Sequence, residues 1–182
     1  MSLRWDRSLA ISLVLGLVAF GADRLHKGLQ VSANCIDWGS GRCVTGLALL
    51  DADRTGWIGG EYLRVTDFFD YVLVWNTGIS YGLLSSVPVW GLGLIMATAI
   101  IALLVWYVRS DVVLVRSALM LIIGGALSNA LDRLLYGAVA DFFHFHWQEW
   151  SFYIFNIADA AISLGVGLLI LDMLGVGRAR KA

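Results

Sequence analysis

Phe152–Leu174 reads FYIFNIADAAISLGVGLLILDML. A helix needs about 20 mainly apolar residues, at about 1.5 Å each, to cross a hydrocarbon core about 30 Å thick. This stretch is long enough, yet it carries Asp159. An ionisable group in such a segment is expensive, which makes Asp159 a functional candidate. A helix over 152–174 would hold Asp159 about seven residues, or roughly 10 Å, from one end.

Three more segments have the same character: about 8–25, 86–108 and 112–131. The first is uncharged until Asp23 and is read as a retained span rather than a cleaved leader. In the second, Ser85 or Ser86 can cap and Pro88 suits a first helical turn. Arg116 lies near enough to one end of the third to snorkel. Gly124-Gly125 and Gly165-Val166-Gly167 offer the small surfaces by which membrane helices pack closely.

Composition agrees. Of 182 residues 59% are hydrophobic and 15% charged, with mean hydropathy +0.76. Soluble chains carry about 25% charged residues. A net charge of −1 lacks the basic footprint that nucleic-acid binding needs. The chain is therefore expected to be a mainly α membrane protein, a single domain over 1–182 with four transmembrane helices. Basic residues gather on one side: Arg4, Arg7, Arg109, Arg116, Arg178, Arg180 and Lys181 against Asp6, Asp111 and Asp172. That bias puts both termini in the cytoplasm, with outer loops at about 26–85 and 132–151.

The first outer loop is too long for a simple connector. From Leu63 to Trp75 every odd position except Asp67 is apolar, which predicts strands and a small β-sheet in this loop. Cys35 and Cys43 share the loop on the oxidising side, where a disulfide is plausible.

Acids cluster at the outer ends of the spans: Asp23, Asp132 beside Arg133, Asp141 and Asp159. Asn156 and Asp159 share a helical face, as do Asn129, Asp132 and Arg133. Two carboxylates at close range share a proton, so one can activate water while the other protonates a carbonyl. A proton- or ion-coupled transporter and a membrane scaffold are the rival classes. No broken midplane helix favours transport. His144 and His146, with Asp141 and Glu149, raise the thought of a metal. An aspartic mechanism needs none, and no metal or cofactor is expected.

Four stretches resemble the successive signatures of the lipoprotein signal peptidases (signal peptidase II): VWNTGISYG at 74–82, SNALDR at 128–133, VADF at 139–142 and FNIAD at 155–159. Asp23 and Lys27 match that family's N-terminal motif. The resemblance implies an endopeptidase that removes the signal peptide from prolipoproteins before a diacylglyceryl-modified cysteine. It implies Asp141 and Asp159 as the catalytic pair. Asp23, Lys27, Asn76, Gly78, Asn129, Asp132, Arg133 and Asn156 would bind substrate or support the pair, with Asp132 in an ion-pair role. It further implies a bacterial inner-membrane location, a site near the outer face, contact with membrane lipids and inhibition by globomycin-type compounds. The family usually has Gly where this chain has Ser128, and often Ser where it has Ala160.

Overall fold

The computed structural model describes residues 7–31, 35–36, 44–45, 58–60, 62–78 and 89–175. The described residues form four helices, α1 (Arg7–Gln30), α2 (Val89–Arg109), α3 (Val113–Tyr136) and α4 (Ile157–Met173). Strands β1 (Cys35–Ile36), β2 (Val44–Thr45), β3 (Tyr62–Arg64) and β4 (Phe69–Asn76) fall between α1 and α2. Strands β5 (Val139–Trp147) and β6 (Trp150–Ser151) fall between α3 and α4. Cys43 and the side chain of Cys35 lie outside the described residues, as do Ser85, Ser86 and Pro88.

Helix α3 is the axis of the bundle and packs against α1, α2 and α4. Its glycines explain how closely. A β-carbon on Gly124 would collide with the Gly16 carbonyl of α1, and one on Gly125 with the Ala158 carbonyl of α4. Backbone contact of this kind replaces the hydrophobic drive that helices lack in lipid. Outward side chains such as Leu17, Leu94, Leu164 and Ile170 remain exposed, as a lipid-facing surface requires.

By length and apolarity α1, residues 91–109 of α2 and α3 are each able to cross a membrane. Helix α4 has 17 residues because the apolar run from 152 does not begin as helix. Residues 152–154 lack regular structure and Phe155 bridges to Phe143. Arg116 also departs from expectation. It is buried and donates to the Ser110 carbonyl at 2.6 Å, with Asp111 at 3.2 Å, closing the α2–α3 turn.

The sheet takes strands from both outer loops. Its order is β3-β4-β5-β6, antiparallel throughout, while β1 and β2 form a separate pair. The alternating run 63–75 forms a hairpin that turns at 66–68, around Asp67. A bulge interrupts the β4–β5 ladder, where Tyr71 faces Phe143 but Val74 faces Asp141. On the other edge, the amides of Phe142 and Phe143 both donate to the Phe155 carbonyl at 2.9 Å. Two residues against one break the alternation, so Asp141 and His144 come to one face.

Val31, Leu73, Tyr136, Ala140 and Phe142 form the core that joins sheet to bundle. His26 of α1 stands against the Phe142 ring at 4.7 Å and meets the Tyr71 hydroxyl at 2.7 Å. Burial pushes Tyr71 up to about 12, so the phenol keeps its proton. Gly137, at φ 77°, ends α3 with its amide on the Arg133 carbonyl and turns the chain into β5.

Candidate functional site

The site forms where the first turn of α4 meets β5, α3 and the end of α1. Asn156 is the N-cap of α4: its side-chain oxygen accepts from the Asp159 amide at 2.9 Å, and its own amide donates to the Asp159 carboxylate at 3.3 Å. Asp159 is therefore in the first turn of the helix, shallower than a helix over 152–174 would hold it. The aromatic residues before Asn156 belong to the sheet, which is why the apolar run overstates the helix.

With its oxygen committed to the cap, Asn156 turns its nitrogen to Asp141, 2.7 Å away, and to Asn129 Oδ1 at 3.1 Å. Asn129 in turn donates to Asp159 at 2.8 Å. One amide chain thus ties both carboxylates together. Asn76 of β4 donates to the other oxygen of Asp141 at 3.0 Å and accepts from the Gly78 amide at 3.1 Å. Arg133 donates to the Gly78 carbonyl at 2.8 Å. Burial, then the neighbouring Asp159 charge, pushes Asp141 up to about 7, against Asn76, Lys27 and Asn156, which favour its ionised form.

Asn76, Gly78, Asn129, Arg133, Asp141 and Asp159 line a cavity of about 710 Å³. Its remaining wall is largely apolar, with Met96 from α2, Ala126 from α3 and Ile162 from α4. A narrow set of polar groups in an apolar cleft is the usual form of a site that binds and orients a ligand.

Asp23, Lys27, Asp132 and Asn156 stand behind this lining, each almost fully buried. Lys27 Nζ lies 2.8 Å from Asp23 and 2.6 Å from Asp132. Asp23 also accepts from the Ala158 amide at 3.0 Å, pinning α1 to the positive end of α4. Asp132 accepts from the Ala140 amide at 3.2 Å and fixes the start of β5.

Two members of this network were not candidates on sequence. Arg24 pairs with Asp132 and donates to Ser128 at 2.8 Å. Ser128 donates to Asp23 at 2.6 Å, a bond that glycine could not make. The signal for Arg24 was its place in the charged turn Asp23–Lys27. The rings of His144 and His146 lie side by side, with centroids 5.2 Å apart, and both contact Asp70. Residues 78–82 spell Gly-x-Ser-x-Gly, a string shared with serine hydrolases. Ser80 lies outside the described residues.

Comparison with known proteins identifies the family. A family model described as signal peptidase (SPase) II matches residues 17–175. The lipoprotein signal peptidase of Methylorubrum extorquens (strain PA1) is 52% identical over 114 residues, 61% of this chain and 67% of the relative. That of Rhodopseudomonas palustris (strain TIE-1) is 50% identical over 125 residues, 65% of this chain and 76% of the relative. Two bacterial membrane enzymes solved by the in meso method share the fold. The one at 2.3 Å has a TM-score of 0.72 and 24% identity, covering 95% of this chain and 94% of its own. The one at 1.9 Å has a TM-score of 0.66 and 25% identity, covering 91% and 93%. The chain is thus a multi-pass membrane peptidase, and it belongs to the signal peptidase II family.

Proposed function

We propose that this chain removes signal peptides from prolipoproteins as an aspartic endopeptidase, cutting before the diacylglyceryl-modified cysteine. The observation that carries the reading is the Asn156 amide. It binds Asp141 through its nitrogen and caps the Asp159 turn through its oxygen, so two carboxylates on different elements face one cleft.

Asp141, pushed up to about 7, holds the shared proton more readily than a free carboxylate does. With one of the pair ionised, that carboxylate takes a proton from water as the oxygen attacks the scissile carbonyl. The neutral partner protonates the carbonyl oxygen; as the C–N bond breaks, the carboxyl that took water's proton gives it to the leaving amine, and the partner takes its proton back from the gem-diol. No covalent intermediate forms. Arg133, held at Gly78, positions the peptide, and the apolar wall receives the acyl chains and the end of the signal helix.

In this reading the dyad lies near the outer face of a bacterial inner membrane, with both termini cytoplasmic. A globomycin-type compound would occupy the same cleft as substrate. Unbroken helices and a carboxylate at a helix end give transport no support. The test is cleavage of a lipid-modified prolipoprotein by purified protein in detergent or vesicles. Wild type is expected to cut before the modified cysteine, and Asp141→Asn and Asp159→Asn to be inactive though inserted. Normal processing by either variant would overturn the dyad.

A further inference from the structure

The cleft has a second polar station. Beyond the dyad, His144 and Ser151 also line the cavity, and His144 Nε2 lies 2.8 Å from Ser151 Oγ. The bulge at Phe142–Phe143 is what aims His144 into the cleft, since regular alternation would turn it away from the Asp141 face. Behind it Asp70 is buried, with 2% exposure, and its Oδ2 is 3.5 Å from His144 Nδ1. His146 Nε2 lies 2.8 Å from the same oxygen, out of line for a hydrogen bond.

A carboxylate only accepts, so Asp70 favours the proton on His144 Nδ1. Nε2 then accepts from the Ser151 hydroxyl. The next oxygen in reach of that proton, the Phe152 carbonyl, is farther, at 3.4 Å. With its proton drawn to His144, Ser151 Oγ presents lone pairs to the cleft. The sequence serine–imidazole–carboxylate is that of hydrolytic triads, but 3.5 Å is too long for the bond that would relay a proton. The arrangement suits binding.

Resting on the proposed peptidase reading, we propose that Ser151, oriented by His144 with Asp70 behind it, is a substrate-binding residue that accepts a backbone N–H on the mature side of the scissile bond. His144 is three positions past Asp141 on β5, at most about 10 Å of chain and less through the bulge. The amide bound should therefore be close to the third beyond the cut. Specificity for an extended chain after the lipidated cysteine follows from this second point of contact.

The experiment compares full-length wild type and Ser151→Ala on a lipid-modified prolipoprotein peptide and on versions with one backbone ester at the second, third or fourth amide after the cut. Ser151→Ala should raise KM about tenfold with kcat within twofold, the loss of about one hydrogen bond. The ester at the matching position should raise KM similarly for wild type and add nothing for Ser151→Ala. Equal melting temperatures separate binding from folding, and His144→Phe should follow Ser151→Ala. An unchanged KM for Ser151→Ala, or ester penalties equal in both proteins, overturns the station. Wild type that cleaves no prolipoprotein strikes the peptidase reading instead.

Discussion

Lys27 and Asn129 are joined by a 3.1 Å bond in which the ammonium can only donate. The oxygen of Asn129 must therefore face Lys27 and its nitrogen Asp159. A buried cation on α1 thus fixes the hydrogen bond received by an acid on α4.

Lys27→Met should cost more than this orientation. Asp23 and Asp132 would keep Arg24 as their cation, and breaking a buried pair from one side costs about 3–5 kcal/mol. Thermal unfolding in detergent is expected to show a large fall in midpoint. Asn129→Leu, which leaves the ion pairs intact, should lower the midpoint less than Lys27→Met does while losing most of its kcat.

Asp141→Asn should be inactive yet sturdier than wild type at alkaline pH. Asp141 sits at about 7 in the fold and starts from 3.8, so the native state holds this proton longer than the unfolded chain. Its contribution is full below about 4 and disappears as pH rises to about 7. The advantage of Asp141→Asn, measured as the difference in unfolding midpoint, should therefore be absent at pH 4 and level off above pH 7.

Asn76→Ala should move the pH dependence of kcat. The Asn76 bond favours ionised Asp141, so removing it lets the pair keep its proton to higher pH. The alkaline limb, expected near 7, should shift upward by about one unit, as loss of one charge-assisted bond implies. A kcat profile from pH 5 to 9 measures it. A downward shift would contradict the polarity of the pair.

Gly125→Val should impair the enzyme without touching a polar group. The valine side chain would meet the Ala158 carbonyl and push the first turn of α4, with Asp159, away from α3. Overpacking costs about 1–3 kcal/mol, so folded protein should be recovered with a reduced melting temperature and at least tenfold lower kcat.

The four apolar segments were legible because bilayer thickness leaves few alternatives, and the acids stood out because lipid makes them costly. The start of α4 was less so. Phe152, Tyr153, Ile154 and Phe155 extend the apolar run, and only Asn156 with Asp159 three residues on marks the cap. The share of the sheet carried by β5 was hidden for a related reason: a bulge and buried aromatic residues on both faces erase period-two alternation. Arg24 and Ser128 join the network where α1 and α3 approach at glycine: the small residues signalled close packing, but not which side chains would meet across it.

The N-cap of α4 has a consequence for biosynthesis. Its partners come from position 23, from position 129 and from β5, all of which precede Asp159 in the chain. A nascent polypeptide with its first three helices already in the bilayer still lacks half of the proposed dyad and the asparagine that aligns it. The proposed dyad is therefore incomplete until α4 has been synthesised.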